Sequence, residues 1–108
     1  MKTYAMILLV LLAGAAMIAE SADDAAAMAL LKKSKCLTCH AVDKKKDGPS
    51  FKETAAKYKG KADAEATLVK HVTTNPTIKV DGKEEKHESL QTKDDAAVRN
   101  AVAYILSR

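Results

Sequence analysis

Residues 35–51 read KCLTCHAVDKKKDGPSF. Two cysteines stand three apart, a histidine follows the second directly, and a Gly-Pro comes eight residues later. Three chemistries compete for Cys36, Cys39 and His40. A zinc finger needs a second ligand pair at short spacing, whereas His71 and His87 are sixteen residues apart. A redox dithiol sits at a strand-to-helix junction of an α/β fold, and no strand pattern stands out along this chain. The third chemistry is covalent haem attachment through C-x-x-C-H. On a helical turn, residues three and four apart share a face. Cys36 and Cys39 can then reach the two vinyl groups along one porphyrin edge as thioethers, while His40 turns its imidazole to the iron. The spacing favours this reading over the other two.

The flanks agree with it. Met1-Lys2-Thr3-Tyr4 carries positive charge, AMILLVLLAGAAMIA (5–19) is uninterruptedly apolar, and Ala19-Glu20-Ser21-Ala22 offers small residues for cleavage. A charged start, short apolar core and small-residue exit describe a secretory signal peptide over residues 1–22. A membrane-spanning helix needs about 20 apolar residues, and this run is shorter, so no stable membrane insertion is expected after cleavage. Residues 23–108 then form one small domain. It has only Phe51, Tyr58 and Tyr104 as aromatics and no Trp. Domains this short often need a staple beyond their own side chains. The formal net charge of +4 is mildly basic and excludes a nucleic-acid footprint.

Helical signals dominate residues 23–108. DDAAAMALLKK (23–33) puts acids first and lysines last, as the helix dipole prefers. SFKETAAKYK (50–59) follows Gly48-Pro49 and stops at Gly60. DAEATLVKHVT (63–73) ends before Asn75-Pro76. The last segment, Asp94 to Leu106, spaces Ala97, Val98, Ala101, Val102 and Ile105 helically, with Thr92 as candidate cap. TIKVDGKEEKHESLQ (77–91) is polar and reads as a loop. The expectation is an all-α domain of four short helices.

With these stretches in place, the chain resembles class I cytochrome c, of the short bacterial one-haem electron-carrier kind. The likeness is carried by ALLKKSKCLTCHAVDKK, DGPSFKETAAKYKGKADAEATL and DDAAVRNAVAYILS. It implies the cytochrome c fold around one covalently bound haem c, held through Cys36 and Cys39, with His40 as proximal ligand. The Pro49 carbonyl would accept the His40 Nδ1–H, fixing tautomer and ring plane. First and last helices would cross, bringing Met28 and Leu31 to Val102, Tyr104 and Ile105. Phe51 would line the haem pocket.

One departure stands out. The resemblance implies a methionine on the loop before the last helix as second axial ligand, yet the methionines are Met1, Met6, Met17 and Met28. Laying DDAAVRNAVAYILSR on that helix without gaps puts His87 where the methionine would be. Local composition, KEEKHESL, describes a solvated loop histidine; position and an otherwise empty sixth site make His87 the leading distal metal ligand beside His40. His71 is the rival, although the resemblance implies a haem propionate contact for a basic residue there. An open sixth site, with Asn75 as weak ligand or pocket residue, is the third possibility.

Two imidazoles would keep the iron low-spin in both oxidation states, suiting a periplasmic electron carrier rather than an enzyme. Methionine raises a haem's potential, so exchange for histidine lowers it. Lys32, Lys33, Lys35, Lys44, Lys45 and Lys46 flank the attachment turn and suit acidic redox partner proteins, with the carrier a monomer. The alternative is a haem-based ligand-binding protein for NO, O2 or peroxide with a displaceable or open sixth site.

Overall fold

The computed structural model describes residues 22–108; apart from Ala22, the expected signal peptide lies outside the described residues. Four α-helices appear: α1 (Asp24–Lys33), α2 (Phe51–Tyr58), α3 (Ala64–His71) and α4 (Asp95–Leu106). Each is one to three residues shorter than its sequence pattern, and at three of the four N-termini the preceding polar residue acts as a cap. Asp23 accepts from the Ala26 N–H and Ser50 from the Glu53 N–H, each such cap being worth about 1 kcal/mol. At α4 the cap is Asp94, which accepts from the Ala96 N–H. Thr92, the expected cap, instead receives the Asp94 N–H on its hydroxyl. α3 stops at His71, four residues ahead of Asn75. Thr73 and Thr74 donate their hydroxyls to the Val69 and Lys70 carbonyls at 2.7 Å each, satisfying helix-end acceptors that otherwise lack partners.

α1 crosses α4, and α2 and α3 pack on α4 as well. Leu31 and Val102 are fully buried at the crossing, with Tyr104 and Ile105 in the same cluster and Met28 packed on its edge. Asn100 of α4 locks the crossing at the start of α1: its Oδ1 accepts the Asp23 N–H at 2.8 Å and its Nδ2 donates to the Asp23 carbonyl at 2.9 Å. Arg108 adds a contact over the Tyr104 ring at 4.1 Å and an ion pair with Asp24 at 3.3 Å.

The segment read as a loop contains a β-hairpin, β1 (Thr77–Val80) paired antiparallel with β2 (Lys83–Lys86). Asp81-Gly82 turns it, both with positive φ (51° and 80°), as a two-residue hairpin turn requires. Lys79 opposes Glu84, and Lys86 donates to the Thr77 hydroxyl at 2.9 Å. The four helices of the expected all-α fold stand, with this small sheet added on their rim. Among the described residues no helix is long and apolar enough to cross a membrane.

Candidate haem site

Lys35 adopts φ +63°, which breaks the chain out of α1 and into a tight turn. Cys36–Thr38 form one turn of 3-10 helix, and the His40 N–H returns to the Cys36 carbonyl at 3.0 Å. Cys36, Cys39 and His40 are thereby presented from a single turn. No disulfide joins the two cysteines. Burial pushes the Cys36 thiol up from its ordinary range, with smaller contributions in the same direction from Glu88 and Cys39.

The loop after the turn folds back over it. The Gly48 N–H donates to the Cys39 carbonyl (2.8 Å), the Phe51 N–H to Ala41 (2.9 Å) and the Lys52 N–H to Val42 (3.0 Å). Lys46 is part of the same arrangement: its Nζ donates to the Leu37 carbonyl at 2.8 Å. His40 Nδ1 lies 2.6 Å from the Pro49 carbonyl. A carbonyl only accepts, so Nδ1 carries the proton and Nε2 keeps its lone pair for a metal. The imidazole lies so close to Gly48 that a Cβ there would come 2.8 Å from Nδ1 and closer still to Cε1. Phe51 stacks behind His40 at 5.7 Å and 24°, and meets Tyr104 edge-on at 6.4 Å.

His87 enters from the other side, directly after β2. Its N–H donates to the Pro76 carbonyl at 2.8 Å, and its carbonyl receives the Asn75 side-chain amide at 2.9 Å. Asn75 has φ +48°, a conformation that asparagine tolerates better than most residues. The base of the hairpin is thus closed by Asn75-Pro76 on one strand and His87 on the other. Beyond His87, the Leu90 N–H reaches the Val72 carbonyl at 2.9 Å. The Gln91 N–H reaches the Ser34 hydroxyl at 2.8 Å, and Ser34 is fully buried next to the attachment turn. The segment is anchored to α3 and to the end of α1 before it runs into α4.

The His40 and His87 ring centres are 6.1 Å apart with a 57° interplanar angle. The His71 ring stands 4.2 Å from His87. Burial, followed by neighbouring positive charge, lowers both the His71 and the His87 pKa, favouring neutral imidazoles. His87 Nδ1 is buried with no hydrogen-bond partner, in contrast to His40 Nδ1.

The structure brings Cys36, Cys39, His40, Pro49, Phe51, His71 and His87 to one region. Asn75, expected as a weak ligand or pocket residue if the sixth site is open, donates its Nδ2 to the His87 carbonyl. Ser34 is a site residue that sequence reasoning misses: it looks like linker, and nothing local signals that Gln91 will cover it. Met28, the one methionine among the described residues, packs on the α1 side of the core.

This donor set fits a haem. Two cysteines not joined to each other and an imidazole whose Nε2 keeps its lone pair share one turn, and Gly48 leaves the space the imidazole fills. Two imidazoles bound through nitrogen on opposite sides of one metal ion, at about 2 Å each, have ring centres roughly 6 Å apart, as His40 and His87 do.

A family model described as Cytochrome c matches residues 25–108. Cytochrome c-551 of Pseudomonas aeruginosa is 43% identical to the chain over 72 residues, covering 67% of each. The crystal structure of the class 1 cytochrome MtoD from Sideroxydans lithotrophicus ES-1 is similar with a TM-score of 0.76 and 49% identity, covering 80% of this chain and 96% of that one. Wild-type Nitrosomonas europaea cytochrome c552 is similar with a TM-score of 0.57 and 29% identity, covering 74% and 96%.

Proposed function

Because this chain belongs to the cytochrome c family, we propose that it is a periplasmic electron carrier whose haem c is gripped axially by His40 and His87. The chain carries one haem c, joined covalently through Cys36 and Cys39. When bound, the haem supplies a one-electron ferric/ferrous couple. The protein's share is to hold that couple in one geometry through both oxidation states. His40 does so with its Nδ1 proton on the Pro49 carbonyl, which fixes the ring and makes Nε2 more basic. Phe51 closes the space behind that ring and keeps water from it.

The observation that carries the reading is the double anchoring of the His87 segment. Backbone bonds to Pro76 and Val72, and side-chain bonds from Asn75 and to Ser34, hold residues 87–91 from both ends. A ligand carried on so restrained a backbone favours electron transfer, in which little should move. It disfavours a sixth site that opens to NO, O2 or peroxide. Export rests on the charged-apolar-small order of residues 1–22.

The carrier serves redox partner proteins, and an acidic partner surface suits its lysines. Lys32, Lys33, Lys35, Lys44 and Lys45 are exposed around the attachment turn and can steer such a partner by charge. Lys46 is held on the Leu37 carbonyl and belongs to the scaffold. We take the working form to be a monomer.

The test is a replacement that restores the family's usual distal ligand type. Ferric wild type should give a low-spin bis-imidazole EPR signal, and His87→Met should raise the reduction potential and alter that signal. Reduced wild type under carbon monoxide should bind it slowly. An EPR signal and potential indifferent to His87→Met would remove His87 from the iron, and rapid carbon monoxide uptake by wild type would favour the ligand-binding reading.

A further inference from the structure

We propose that His71 is a reserve axial ligand, placed to take the sixth iron position when His87 leaves it. The inference rests on the reading of His87 as the resident distal ligand and extends it to the imidazole that stands beside it.

Two observations carry it. The first is proximity: the His71 and His87 ring centres are 4.2 Å apart, while His87 stands 6.1 Å from His40. To occupy His87's place, the His71 ring need travel no further than that 4.2 Å. Its position allows the movement. His71 is the last residue of α3 and is solvent-exposed, so rotation about its side-chain bonds disturbs no core packing.

The second observation is an asymmetry between the two axial imidazoles. His40 gives its Nδ1 proton to the Pro49 carbonyl at 2.6 Å, which orients the ring and strengthens the donor nitrogen. His87 Nδ1 is buried without a partner. Its main chain is tied down, but its imidazole receives none of the support that His40 has. If His87 holds the iron, its imidazole would do so without the protein support that His40 draws from Pro49, and a substitute stands beside it. The pair keeps the iron six-coordinate and fit for electron transfer through events that detach His87.

No other histidine exists to play this part: the chain's three histidines are His40, His71 and His87. Lysine amines are the competing donors, and the experiment separates them. Ferric holoprotein is compared by low-temperature EPR and potentiometric titration as wild type, His71→Ala, His87→Ala and the double variant. The expected result is a low-spin signal for wild type and His71→Ala. His87→Ala should also be low-spin, with changed g values and a shifted potential, and the double variant should be high-spin. His87→Gln keeps a polar side chain of similar length in the loop and should repeat the His87→Ala outcome if the alanine variant accumulates poorly.

High-spin His87→Ala would overturn the proposal while leaving His87 as resident ligand. A double variant that stays low-spin would overturn it in favour of another donor such as a lysine. A His87→Ala protein indistinguishable from wild type in both readouts would instead remove the underlying reading of His87.

Discussion

His40 gives its Nδ1 proton to a carbonyl nine positions along the chain, and its seat is Gly48, in the same loop. The segment bearing His87 is fastened differently. One of its ties, Gln91 to Ser34, spans 57 residues, and another runs to the end of α3. The proximal side is therefore local and forms around its own imidazole. The distal side is non-local and exists only once α1, α3 and the hairpin are in place. In the first the side chain is supported; in the second the backbone is supported and the ring nitrogen has no partner. A fault on the proximal side should therefore disturb the imidazole directly, whereas a fault on the distal side should act by loosening a whole segment.

The largest effect should come from Gly48→Ala. The added methyl overlaps the His40 ring, so either the ring or the loop must give way. Overpacking of this kind costs about 2 kcal/mol, on the order of 10 °C in Tm for a domain this size. Thermal unfolding of the holoprotein measures it. Gly60→Ala is the contrast, since a Cβ there meets nothing within 4 Å and only the positive φ of 76° opposes it; about 1 kcal/mol is expected.

Ser34→Ala comes next and probes the distal side. It leaves the Gln91 N–H without its acceptor, the buried Ser34 hydroxyl, at a part-buried position, which costs about 1 kcal/mol. A lower urea midpoint should be accompanied by faster cyanide binding to the ferric protein, because the segment holding His87 has lost an anchor. Stability loss without any change in cyanide rate would show that Ser34 is mere packing.

Asn75 separates backbone from side chain. Asn75→Gly keeps the φ of +48° accessible and removes only the amide tie to the His87 carbonyl. Asn75→Ala removes the tie and strains the backbone as well, so it should be less stable than the glycine variant by about 1 kcal/mol. Both variants should bind cyanide faster than wild type.

The same contrast between local and non-local structure decides what can be read from the sequence. CLTCH with its Gly-Pro, and the capped and periodic helices, are short-range patterns, so the attachment turn and the α1–α4 core are legible. The hairpin reads as a loop although Asp81-Gly82 signals it. Its second strand is Lys-Glu-Glu-Lys, exposed throughout, and a strand that buries no face has no apolar alternation to show. His87 can be placed only by its distance from the last helix. What holds it there depends on Ser34, Val72 and Asn75, and no local pattern connects those residues to one another.

The smallest effect concerns acid. Partial burial first, and then electrostatic repulsion from the His40 imidazole and Lys57, lower the His71 pKa in the folded protein. In the unfolded chain His71 has its ordinary value near 6.5. As pH falls below about 6.5 the unfolded chain takes up a proton that the folded protein resists, so folding stability contributed by His71 is complete above that value and is lost as pH falls through it. His71→Gln removes this titration. Urea midpoints measured between about pH 7.5 and 5 should therefore fall less steeply toward acid for the variant than for wild type. The difference is small because the side chain is exposed. A variant with an unchanged slope would place the acid sensitivity on the distal segment alone, the part of the site held by its backbone.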